Sequence, residues 1–118
     1  MTELKIHIGG GPEAMGRRFV SAWRRAEAGQ RVDERHLTFA TLEEAAKVLT
    51  PKRLELLRAI HRRPAASVRA LAEALGRDYK NVHGDVRALT DAGLLDRDDL
   101  GGLSADYDTI AVEMAIAL

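Results

Sequence analysis

Between Ser67 and Leu95 the chain reads SVRALAEALGRDYKNVHGDVRALTDAGLL, and this stretch divides into two helices joined by a tight turn. In the first helix Val68, Leu71, Ala72 and Leu75 recur at the spacing of one helical face. Ser67 stands where a side-chain oxygen can accept from a free N–H of the first turn. Gly76 follows the last apolar residue, a place where helices commonly end in a left-handed conformation. Asp78 caps the second helix, whose apolar stripe is Val82, Val86 and Leu89 with Tyr79 at its margin, and Gly93 stops it. The opposite face carries Lys80, Asn81, His83, Gly84 and Arg87. A helix buried on one side and presenting Lys, Asn, His and Arg on the other is suited to the major groove of DNA, where such side chains meet base edges. An ordinary helical hairpin with a solvated polar face has the same spacing, because a helix-turn-helix has no invariant signature.

Charge separates the two readings better than spacing does. Over 118 residues the net charge is zero, but the charges are unevenly placed. Residues 1–50 hold eight Lys or Arg against seven Asp or Glu; residues 51–93 hold nine against five; residues 94–118 hold one against six. The basic middle coincides with the two-helix stretch, as an electrostatic footprint on phosphate requires. The chain has no cysteine, which removes disulfides, thiolate chemistry and cysteine zinc sites and suits a reducing, cytoplasmic setting. No apolar run approaches a membrane span, and MTELKIHIGG lacks the pattern of a signal peptide.

At the start of the chain Leu4, Ile6 and Ile8 alternate with Glu3, Lys5 and His7, which predicts a short strand with one apolar face. Gly9, Gly10 and Gly11 end it, and Pro12 suits a first helical position. A helix follows, with Ala14, Met15, Phe19, Val20, Trp23 and Ala26 as its apolar stripe and Gly29 as its stop. The glycine run matches neither a P-loop nor GxGxxG, so it reads as turning chain rather than a phosphate cradle. His36 to Ala40 reads as a second strand, giving a β-α-β unit over residues 1–40. Thr41 and Glu44 form a capping box for a helix to Leu49, and Thr50-Pro51 starts another, TPKRLELLRAIHRR, with Leu54, Leu57, Ala59 and Ile60 inward. After Gly93, DRDDLGG is a polar turn between Leu94-Leu95 and a return at Leu103 to Tyr107, a hairpin that would serve as a wing. From Ile110 to Leu118 strict period two predicts a half-buried strand, pairing within the chain or with a second chain.

Taken together, TPKRLELLRAI, SVRALAEALGRDYKNVHGDVRALTDAGLL, the short hairpin and YDTIAVEMAI resemble small bacterial and archaeal winged helix-turn-helix transcriptional regulators, similar in style to the MarR and ArsR groups. LKIHIG, MGRRFVSAW and RHLTFATLEEAAKVLTPKR look like the same family's N-terminal part. The resemblance implies that Tyr79, Lys80, Asn81 and His83 face DNA and that Arg77 and Arg87 contact phosphate. Ser67, Arg69, Gly84 and the wing residue Arg97 complete the candidate DNA-binding set. It also implies neighbours among toxin-like genes, since some relatives are assigned as antitoxins. Two positions depart from the pattern: Gly84 lies mid-helix, and the wing DRDDLGGLSAD has one basic and four acidic residues.

The expected fold is α+β, a winged helix-turn-helix over residues 41–118 with an N-terminal β-α-β extension over residues 1–40 for dimerisation or partner binding. The expected function is sequence-specific double-stranded DNA binding that represses transcription, extending to an autoregulating antitoxin. The alternative is a protein-binding antitoxin module whose DNA binding is secondary or lost. Expected partners are double-stranded DNA, a second copy in a homodimer held mainly by the N-terminal unit, and a cognate toxin, with no membrane. No catalytic constellation, cofactor site or metal site is expected: His7, His36, His61 and His83 are scattered, and no serine sits in a nucleophile elbow.

Overall fold

A computed structural model of the chain describes residues 2–9, 20, 23–25, 34–116 and 118. Its elements run β1 (Glu3–Ile8), β2 (Glu34–Phe39), α1 (Leu42–Val48), α2 (Pro51–Arg62), α3 (Val68–Leu75), α4 (Tyr79–Ala92), β3 (Asp96–Arg97), β4 (Leu103–Ser104) and β5 (Thr109–Met114), so the fold is α+β. The chain forms two compact units. One comprises Met1–Ala45 with Tyr107–Leu118, and the other Ala46–Asp106. The division expected at residues 40 and 41 is thus displaced into α1, and the C-terminal strand belongs with the N-terminal residues. The reason is pairing: β5 lies parallel to β1, from Glu3 against Thr109 to Ile8 against Met114.

The first unit is built on a three-stranded parallel sheet in the order β2-β1-β5. As the central strand, β1 buries Leu4, Ile6 and Ile8, the face its alternation predicts. Parallel pairing of β1 with β2 requires a crossover, and Gly9 (φ 77°) turns the chain off β1. Residues 20 and 23–25 of that crossover are helical, while the rest of the expected helix lies outside the described residues. Val20 and Trp23, expected in its buried stripe, are both exposed. The strand expected to run to Leu118 ends at Met114.

The polar face of β1 corrects one expectation. His7 and His36 are not scattered: His7 Nε2 lies 2.8 Å from His36 Nδ1, and the rings are within 15° of parallel. A centroid separation of 5.1 Å at that N···N distance means the rings meet edge to edge. Glu113 Oε2 stands 3.1 Å from His7 Nδ1, so Glu113, His7 and His36 form a chain across β5, β1 and β2. An ionised carboxylate only accepts, so Nδ1 of His7 carries hydrogen, and in the neutral ring Nε2 accepts from His36. His7 is 4% exposed, and this pairing accounts for a polar ring in a central strand.

In the second unit, local signals and structure agree closely. The Thr50 hydroxyl accepts from Arg53 N (3.3 Å), with Pro51 opening α2. Ser67 Oγ accepts from Ala70 N (3.0 Å) at α3, and Asp78 Oδ2 from Asn81 N (3.4 Å) at α4. Gly76 (φ 63°) and Gly93 (φ 86°) close α3 and α4 in the left-handed region. The core takes Leu56, Leu57 and Ile60 from α2, Val68, Leu71 and Ala72 from α3, and Val82, Val86 and Leu89 from α4. Leu56 replaces the expected Leu54 and Ala59, which are only half-buried, because the inward stripe of α2 is rotated toward 56, 57 and 60. Strands β3 and β4 pair antiparallel, and Ala65 bridges Leu103 through two backbone hydrogen bonds of 3.1 and 2.7 Å. Thus the returning strand is tied to the connection between α2 and α3. The His61 ring fastens α2 to the segment after β4 through Nδ1, 2.8 Å from Ala105 O.

Asp85 joins three parts of this unit. Its carboxylate accepts from Arg53 Nε of α2 (3.1 Å) and from Arg77 Nη2 of the α3–α4 turn (2.8 Å), and all three side chains are largely buried. The Arg53 guanidinium also donates to Lys47 O, at 2.7 Å. Asp85→Ala leaves two guanidiniums short of an acceptor and is expected to lower unfolding free energy by about 1–3 kcal/mol. Asp85→Asn, which keeps one acceptor oxygen, should lose less. Denaturant titration followed by circular dichroism measures both.

Candidate nucleic-acid interface

The candidate site is built on α4. Burial of Val82, Val86 and Leu89 fixes which way the helix faces, and the remaining positions follow from its 3.6-residue period. Lys80, Asn81, His83, Gly84 and Arg87 are all exposed, as the pattern predicts. The side chains of Lys80 and Asn81 have no hydrogen-bond partner among the described residues. Arg87 is 77% exposed, with Asp91 one turn on at 4.0 Å, an ion pair that water screens strongly.

Tyr79 opens the helix, half-exposed, with the Arg69 guanidinium 5.0 Å from its ring centroid and the His83 ring at 5.8 Å. This places the guanidinium of α3 over an aromatic face at the start of α4, a cation–π contact that ties Arg69 to the same surface. Ser67 caps α3 with its hydroxyl, which limits its freedom to serve a ligand. Arg77, expected on phosphate, is held by Asp85; its other guanidinium hydrogens remain as donors.

Arg97, on β3, meets α4 across a recess of about 260 Å³ lined by His83, Val86, Arg87, Thr90, Asp91 and Arg97. Three expected DNA-facing residues thus share one recess, two from the helix and one from the hairpin. A second recess, at the start of α2, is lined by Thr50, Pro51, Lys52, Arg53, Arg77, Asn81 and Asp85. Sequence reasoning missed Arg53 and Asp85 here. The only hint was an acidic residue on the border of the α4 apolar stripe.

The hairpin turn is organised by one of its own carboxylates. Asp98 Oδ1 accepts from Leu100 N (2.9 Å) and Gly102 N (2.8 Å), while Gly101 supplies a φ of 87°. A Cβ at Gly102 would fall on the Asp98 carboxylate, so a larger residue there would displace that carboxylate from the turn. Two N–H groups therefore partly balance the Asp98 charge. Among the described residues no group of three or more His, Cys, Asp or Glu is placed to hold a metal ion, and no helix is long and apolar enough to cross a membrane.

Gly84 has open space around a built Cβ, with no heavy atom within 4 Å. Nothing in the fold therefore requires glycine there. Gly84→Ala is expected to stabilise the chain by about 0.5–1 kcal/mol, from helix propensity. A rise in thermal midpoint measures it; an unchanged or lowered midpoint would show a packing constraint at this position.

No curated protein and no solved structure matches the chain. The family described as HVO_A0114 matches residues 48–112, from the last residue of α1 into β5, and this is more than half of the sequence. The chain belongs to the HVO_A0114 family.

Proposed function

We propose that this chain is a sequence-specific double-stranded DNA-binding regulator that represses transcription, with its second unit acting as a winged helix-turn-helix. The observation that carries the reading is the outer face of α4. Lys80, Asn81, His83 and Arg87 are exposed on one side of a helix whose other side is fully buried, and Arg97 of the hairpin stands beside them. Three helices followed by a hairpin, with the returning strand tied to the α2–α3 connection, also suit a winged helix.

In this reading the early turns of α4 enter the major groove. Asn81 reads adenine bidentately, Lys80 and His83 meet neighbouring base edges, and Arg87 and Arg97 hold phosphate. Gly84 brings the helix backbone close to the DNA, since no side chain stands between. The acidic hairpin is tolerated because the Asp98 carboxylate is turned onto the backbone of its own turn, where two N–H groups hold it.

Gel shift and salt titration against the DNA upstream of the chain's own gene test this. Asn81→Ala should relax discrimination between sites by about 1–3 kcal/mol. Arg87→Ala should weaken binding to every sequence and reduce the salt slope by about one. Asp99→Asn should leave affinity equal or higher. Unchanged affinity and selectivity in both α4 variants would remove this helix from the interface.

A further inference from the structure

We propose that two copies of this chain associate edge to edge through β5, antiparallel, with the two-fold axis at Met114. The proposal rests on the sheet of the first unit and is independent of the DNA reading. In the order β2-β1-β5, one edge of β5 pairs with β1, and among the described residues its other edge has no strand. An edge strand that stays single normally carries lysine, proline, a bulge or inward charge. TIAVEM has none of the first two and one charge, Glu113, which turns to His7 on the polar face. The other face leaves Val112 55%, Met114 43% and Ile116 67% exposed.

The chain beyond β5 says what covers this edge. The last β1·β5 pair is Ile8 with Met114, and Gly9 then donates to Phe39 O of β2, so β1 offers nothing further to β5. Yet the alternation continues past the strand's end through Ile116 to Leu118. Period two without a neighbour on the β1 side calls for a neighbour on the other side.

A second copy supplies one with a defined register. Opposed residues in an antiparallel pair share a face, so apolar must meet apolar. An axis at Met114 sets Ile110 against Leu118, Val112 against Ile116, Met114 against itself and Glu113 against Ala115. An axis at Glu113 would oppose two carboxylates. An axis at Val112 would set Asp108 against Ile116. Only the Met114 register pairs every large apolar residue from Ile110 to Leu118 with another and opposes no charges.

Light scattering on the intact chain at micromolar concentration should give a dimer mass; a monomer mass overturns the proposal. Ile116→Lys lies outside β5 and should weaken association by about tenfold, because both symmetric Val112–Ile116 apolar pairs across the axis are lost. Adding Val112→Glu to it should restore a dimer, because residues 112 and 116 oppose each other across the axis. A dimer unaffected by Ile116→Lys refutes the edge, and a double variant that stays monomeric with its circular dichroism intact refutes the register. Met114→Cys, the only thiol in that variant, should form a covalent dimer on mild oxidation. Thr109→Cys should not, and equal cross-linking of the two would count against the axis.

Discussion

Asp85 gives α4 a fixed angle as well as a fixed position. The contacts of Val82, Val86 and Leu89 with the core are apolar, and burial alone is nondirectional, so it tolerates some rotation about the helix axis. The charge-assisted bonds from Arg53 and Arg77 are directional, and they reach α4 from two different elements. A helix held this way presents Lys80, Asn81 and His83 in one constant arrangement, which base-edge recognition needs to within a fraction of an ångström. The same pairing changes the electrostatics. Arg53 and Arg77 share the one Asp85 carboxylate, so the three together add a single net positive charge, and Lys80, Arg87 and Arg97 supply the rest of the positive field over α4.

Local chemistry was readable in the sequence wherever one residue acts on its own neighbours. The caps Thr50, Ser67 and Asp78 and the stops Gly76 and Gly93 need only three to five residues of context, and each is found as read. The α4 stripe was equally plain because its polar and apolar faces are sharply divided. In α2 the division is blurred by Leu54, Leu56, Leu57 and Ala59 lying close together, so the inward direction depended on what packs against them. The largest omissions were contacts between residues far apart in sequence. Arg53 and Asp85 are 32 positions apart, and His7 and His36 are 29 apart. For the histidines the missing quantity was strand register: one step of slip between β1 and β2 would put His36 on the opposite face from His7.

The hairpin shows how composition misleads when geometry is absent. Counted as charges, DRDDLGGLSAD repels phosphate. In place, Asp98 accepts from two backbone N–H groups and makes the turn that carries Arg97 beside α4. Asp98 therefore serves the fold first. The opposition it offers to an anion is weaker than that of a carboxylate facing water, so an acidic hairpin and the basic outer face of α4 can coexist in one unit.

The most distant pairing in the chain, β1 with β5, closes the sheet of the first unit across the whole of residues 46–106. Residues 46–106 leave the first unit after β2 and return to it before β5, so the sheet is complete only when both ends of the second unit are in reach. As an unfolded segment, that stretch would impose a large closure entropy on the β1·β5 ladder. Within that stretch His61 of α2 is held to Ala105 after β4, a contact that shortens the effective loop. The second unit should therefore form first and β5 dock last, since contacts of high sequence separation form favourably only after the intervening chain is compact. Until β5 docks, β1 is itself an edge strand with Leu4, Ile6 and Ile8 on one face, the arrangement most prone to incorrect pairing. Docking of β5 removes that edge from β1 and completes the three-stranded sheet.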